Sequence, residues 1–248
     1  MNATPNAVTA AARPLAPFLL AAALLLLAPL VGPMASAEPF LPALMPEALE
    51  IELALSAAPA RLRKGAAVYA LRRGGYEQVR TGTNHYMCFV VRTVARFDVQ
   101  SADTLIPICY DEEGTRAIAP LHFDSAAYRE QGLSAEEIRG KIEAAFASGR
   151  YTAPRTPGMS YMISPVFNIP DGKGGIWNFP PHFMFYAPNL MNETVDTVPD
   201  RSGGWLPWIN NEGPHGMMIV PVGEKERETI RAESQGLIRR VERFLQTK

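Results

Sequence analysis

Cysteine is almost missing from this chain. Cys88 and Cys109 are the only two in 248 residues, which excludes a cysteine-dense scaffold, and no C-x-x-C spacing offers a thiolate metal site. Histidine is scarce as well, limited to His85, His122, His182 and His215. Neither sign of charge dominates: 24 Lys and Arg stand against 25 Asp and Glu, so no basic surface for nucleic acid is expected. No block of like charge marks a tail. G-x-S-x-G and G-x-x-x-x-G-K-[ST] are both absent, which removes the esterase nucleophile elbow and the phosphate loop. The acidic run at residues 111–114 lacks the alternating oxygen ligands of a calcium loop and reads as a solvated turn. After the N-terminal segment, no apolar run is long enough to span a bilayer.

What is present starts with a leader. Arg13 is the only charge among residues 1–37, residues 17–31 are almost wholly apolar, and Ala35-Ser36-Ala37 supplies a small-x-small cleavage pattern. These features predict a signal peptide cut after Ala37. A retained N-terminal anchor is the rival reading, but the run is short and Pro29 and Pro33 interrupt its end. Residues 38–248 are then expected as one exported α+β domain, periplasmic or extracellular, with no transmembrane anchor after cleavage. An exported chain meets an oxidising compartment, so Cys88 and Cys109 are expected to pair as a disulfide, stabilising by about 3 kcal/mol.

The pattern along the chain predicts a largely antiparallel sheet packed by middle and C-terminal helices. Residues 46–57 read as a helix opened by Pro46, although Leu49, Ile51, Leu53 and Leu55 also alternate as in a strand. Three strands follow as a β-meander over residues 67–71, 76–80 and 86–93, turned at Gly74-Gly75 and at residues 81–84. Residues 92–104 read as a loop. A short strand at 105–110 is expected at an edge, because Pro107 lacks an amide proton. Short helical periodicity appears at 124–131. Ser134 with Glu137 forms a capping box for a second helix that ends at Gly149. A strand is expected near 160–163, and an amphipathic helix at 224–246, with Gly236 as its kink.

Two later stretches repeat one pattern. Residues 181–188 and 214–221 both read P-H-x-M-x-x-x-P, and each is expected as a central strand with a histidine at its mouth. Residues i and i+2 of a strand share a face. His182 with Met184 and His215 with Met217 would thus each present a nitrogen and a thioether sulfur together, donors that suit copper and Cu(I) above all. His85 precedes Met87 in the same way. Parallel, in-register pairing would put His182 and His215 about 5 Å apart, whereas antiparallel pairing separates them by roughly 15–20 Å.

Two other chemistries compete with copper. Glu212 close to His215, with Asp111 or Glu113, outlines a carboxylate-oriented general base for a hydrolase-like enzyme using His182 or His215. Alternatively, Trp177, Trp205 and Trp208, in segments rich in Pro and Gly, could line a cleft for an apolar or sugar ligand. The run from Gly75-Tyr76 to Arg92 with Thr83-Asn84 and Cys88, then Cys109-Tyr110-Asp111 and the two Pro-His strands, resembles a group of secreted bacterial proteins of unassigned function. That resemblance implies no activity. The expected function is therefore an exported protein that binds a ligand or envelope partner without catalysis.

Overall fold

The structure is a computed structural model and describes residues 40, 42–198 and 206–248. The expected leader and its cleavage site lie outside the described residues. The first element settles as α1 (Glu47–Ser56), a helix with Pro46 at its N-cap, rather than the alternating strand. A single turn, α2 (Ala60–Arg63), follows Pro59.

β1 (Ala67–Arg72) and β2 (Gly75–Arg80) form the expected antiparallel hairpin. Gly74 and Gly75 turn it at φ 95° and 136°, a region closed to most side chains. The expected meander ends there. β3 (Met87–Val91) passes to the far side of β1 and pairs with it in parallel, Ala67 opposite Met87 and Val68 opposite Cys88. Residues 81–86 suffice for this crossing because β2 ends where β1 begins, leaving only two strand spacings, about 10 Å, to bridge. The amides of Thr83 and Asn84 donate to the Gly65 carbonyl at 2.7 and 3.0 Å. Gly82 makes the passage sterically feasible, since a Cβ there would lie 2.6 Å from the Ala67 nitrogen.

β4 (Ile106–Tyr110) pairs antiparallel with β3 and sets Cys109 directly opposite Cys88. The two form the expected disulfide, with Cα atoms 4.0 Å apart. Such a short separation marks a non-hydrogen-bonded pair. By alternation Val90–Pro107 is one too, so the proline nitrogen faces away from β3. β4 is central, not the edge strand expected. Its other neighbour, β5 (Met159–Met162), pairs only with Cys109 and Tyr110, which leaves Pro107 beside a gap in the ladder.

The acidic stretch is not a turn. It starts α3 (Glu112–Ala117), with Asp111 as N-cap accepting from the Gly114 amide at 2.9 Å. α4 (Ala119–Glu130) begins earlier than residue 124, with a proline in its first turn. α5 (Ala135–Ala147) carries the expected capping box of Ser134 and Glu137. β6 (Asn168–Pro170) and β7 (Ile176–Asn178) make a separate small hairpin.

β8 (His182–Tyr186), β9 (Trp208–Asn210) and β10 (Met217–Pro221) complete the main sheet, whose order is β2-β1-β3-β4-β5-β8-β10-β9. Among the described residues, only the β1–β3 pairing of this sheet is parallel. Two helices end the chain where one was expected. α6 (Glu224–Glu233) and α7 (Gln235–Gln246) break at Ser234, at φ −104° and ψ 12°. None of the helices is long and apolar enough to cross a membrane, among the described residues.

Side-chain alternation gives the sheet two apolar faces. Cys88, Val90, Cys109 and Tyr161 face a layer that includes Leu53 and Ala54 of α1 and Leu237 and Val241 of α7. Phe89, Ile108, Tyr110, Met162, Met184 and Ile219 face the other way, toward α3 and α4. The disulfide therefore lies on the face away from α3 and α4. Replacing both cysteines by serine is expected to lower unfolding free energy by about 3 kcal/mol. A urea denaturation series checks this through the midpoint, and the same loss should appear when the unchanged protein is fully reduced.

Candidate functional site

A cavity of about 590 Å³ lies on the α3–α4 face of the sheet. Its floor comes from alternate residues of neighbouring strands: Ile108 and Tyr110 of β4, Met162 of β5, His182 and Met184 of β8, and Met217 and Ile219 of β10. Leu121 and His122 of α4 and Phe146 of α5 cover it, and Trp177 of the small hairpin closes one side. Arg96, Asp171 and Glu212, the charged lining residues, are all exposed and so belong to the rim.

The register of the two repeated strands is the antiparallel one, which keeps their histidine ends apart. β8 and β10 run antiparallel, Pro221 opposite His182 and Met217 opposite Tyr186. Met217 thus lies four residues, roughly 14 Å, along the ladder from the residue opposite His182, and His215 sits in the turn beyond it. No group of three or more His, Cys, Asp or Glu side chains could hold a metal ion among the described residues. His85 is exposed and does not line the cavity. One soft-donor set does come together: Met162 sits directly opposite His182 across β5 and β8, and Met184 lies two residues on along the same face.

His182 and His215 nevertheless line one cavity, and His122 joins them. Nδ1 of His182 lies 2.8 Å from the Pro180 carbonyl oxygen. A carbonyl only accepts, so Nδ1 carries the proton and Nε2 keeps its lone pair. Phe179 and Phe167 hold the ring edge-on, with centroids 4.7 and 5.1 Å away. Burial pushes this imidazole down to about 4, opposed only by the Pro180 contact. His215 is arranged the other way round. Its Nε2 donates to the Thr152 carbonyl at 3.1 Å, and its buried Nδ1 has no partner among the described residues. Burial lowers its pKa too. His122 shares a 2.9 Å hydrogen bond with the Tyr110 hydroxyl, and burial, then the nearby charge of His215, pushes it down to about 4. At neutral pH the cavity holds three uncharged imidazoles.

The carboxylates serve structural ends. Glu212 Oε1 accepts from the Asn192 amide at 2.7 Å and from its side chain at 2.8 Å. Asn192 in turn clamps both backbone groups of Ile209. Glu212 fastens a loop to β9, while His215 takes a backbone carbonyl as its partner. Glu113 is held by Arg116 at 3.0 Å and by the Arg155 amide, and these bonds push its carboxyl down to about 2. Trp208 and Trp177 both line the cavity, joined through Phe179 at 6.4 and 5.0 Å. Trp205 lies outside the described residues.

His122, Tyr110 and Met162 were not singled out by sequence. The readable signal was Pro120: a proline in a first helical turn moves the helix start back from 124 and puts His122 on the face shared with Ile118, Leu121 and Ser125. Comparison with protein-family models, curated proteins and solved structures found no significant match to this chain.

The histidines predict an acid-sensitive fold. His122 and His182 are depressed from the ordinary value near 6.5 to about 4 in the native state. The unfolded chain therefore binds more protons between pH 6.5 and 4. Stability is full above pH 6.5 and falls through that window, by on the order of 3 kcal/mol per histidine. Urea midpoints taken from pH 7.5 to 4 should show the fall, and His182→Asn should make it shallower.

Proposed function

We propose that this chain is an exported protein that binds a small, largely apolar molecule in the sheet cavity without transforming it. The cavity carries the reading. Its volume of about 590 Å³ falls within the roughly 300–1,000 Å³ common for small-molecule sites. Its walls are mainly aliphatic, aromatic and thioether side chains, with three imidazoles and a few neutral polar groups among them and charge confined to the rim. The Cys88–Cys109 disulfide fits an oxidising compartment. Hydrolase chemistry has less support, since both candidate histidines are oriented by carbonyls rather than carboxylates. The test is titration with the uncharged fluorophore N-phenyl-1-naphthylamine. We expect saturable enhancement at one site, lost in Ile219→Trp, which fills the floor, and kept in Lys225→Ala. A wild-type protein that gives no enhancement, or a filled variant that binds as well, overturns the proposal.

The Met162–His182–Met184 cluster supports a second reading, Cu(I) binding through one nitrogen and two sulfurs. Both cysteines are committed to the disulfide, so a competition against bicinchoninate reports on this cluster. On this reading the protein withdraws one equivalent of Cu(I), and Met162→Leu weakens the withdrawal at least tenfold.

A further inference from the structure

The polar atoms of the cavity narrow the class of ligand. Trp208 Nε1 and His215 Nδ1 lack hydrogen-bond partners among the described residues, but both are sealed inside the packing. Nε2 of His182 is different: it has no partner there either, yet it is not a sealed atom, and its residue lines the cavity while only 1% exposed. The Pro180 carbonyl fixes the tautomer, and Phe167 and Phe179 fix the ring. The ring cannot turn to offer a proton without giving up the Pro180 bond. Nε2 is therefore a preset acceptor in an apolar chamber.

We infer that the ligand is an uncharged apolar molecule with a hydroxyl group, which donates its hydrogen bond to Nε2 of His182. This rests on the binding function proposed above and specifies the chemistry of the same cavity. An ether of the same shape would bury Nε2 unsatisfied, and the lost hydrogen bond would cost affinity. A carboxylate would set acceptor against acceptor and also place its charge among apolar walls. The charged groups that line the cavity, Arg96, Asp171 and Glu212, lie at the rim, and Glu212 is occupied by Asn192.

The experiment displaces bound N-phenyl-1-naphthylamine with 1-dodecanol, methyl dodecyl ether and dodecanoate, each below its aggregation limit. In wild-type protein the alcohol should compete about tenfold better than the ether, the equivalent of one net hydrogen bond, and better still than dodecanoate. In His182→Phe the fluorophore should still bind, and the alcohol-to-ether ratio should fall to near one. Equal competition by alcohol and ether in wild type overturns the inference and leaves the binding function standing, as does tighter binding of dodecanoate. An unchanged ratio in His182→Phe also overturns it. No fluorophore binding by wild type ends both. The wild-type comparison alone is decisive if the variant does not fold.

Discussion

The carboxylate of Asp111 holds the cavity together. One oxygen accepts from the Gly114 amide at 2.9 Å and from the Tyr186 hydroxyl at 2.6 Å, and the other accepts from the Met159 amide at 2.8 Å. A single side chain thus joins the start of α3, the start of β5 and the end of β8. The junction is too tight for side chains on its neighbours. A Cβ on Gly114 would collide with the Tyr186 hydroxyl, and one on Gly158 with Asp111 itself. Burial, reinforced by Asp111, drives the Tyr186 phenol far above its ordinary pKa, so it stays a donor. Because α3 leads directly into α4, this node sets the height of the cavity roof above its floor.

A second buried polar link secures the opposite face. Arg92 is 1% exposed and Glu50 is fully buried. Arg92 donates to the carbonyls of Thr104 and Ala43 at 3.1 Å each, and Glu50 accepts from the Leu71 amide at 2.9 Å. Burial raises the Glu50 pKa and lowers that of Arg92, while the attraction between the two opposes both shifts. Removing Arg92 would leave Glu50 with Arg72, 3.7 Å away, while removing Glu50 would leave Arg92 a buried cation with no carboxylate beside it, a change of the costly kind. The link fixes the segment before α1 to the end of β3, so it acts on the scaffold rather than on the ligand chamber.

Local chemistry was legible in the sequence, and long-range choices were not. The Ser134–Glu137 capping box, the Gly74-Gly75 turn and the cysteine pairing each depend on residues whose own properties decide the outcome. The two Pro-His strands were recognisable as strands for the same reason. Their antiparallel direction was favoured only by the lack of a helical crossover between them and the general preference for such pairs, because alternation along a strand is the same whichever way its neighbour runs. The crossing of β3 to the far side of β1 was hidden similarly, since Gly82 reads as an ordinary turn residue until Ala67 is seen beneath it. Asp111-Glu112-Glu113-Gly114 looked like a solvated turn because helix α3 is short and owes its place to contacts with Met159 and Tyr186, far along the chain. Arg92 looked like the start of a polar loop. Nothing within a few residues of it announces a fully enclosed guanidinium.

The sheet's two faces differ in stiffness. Behind it, a covalent bridge ties β3 to β4, and small alanines and the buried Glu50 hold α1 against the strands. In front, the floor carries Met162, Met184 and Met217, unbranched side chains that change shape at little cost. Such a chamber adapts its outline to the guest while His182, clamped by a proline carbonyl and two phenyl rings, stays in place. Selection then falls on one functional group rather than on contour. A family of molecules with differing hydrocarbon bodies and one common polar group would be received alike, and oxidation of the methionines to sulfoxides would abolish that tolerance by placing fixed dipoles where pliable surface had been.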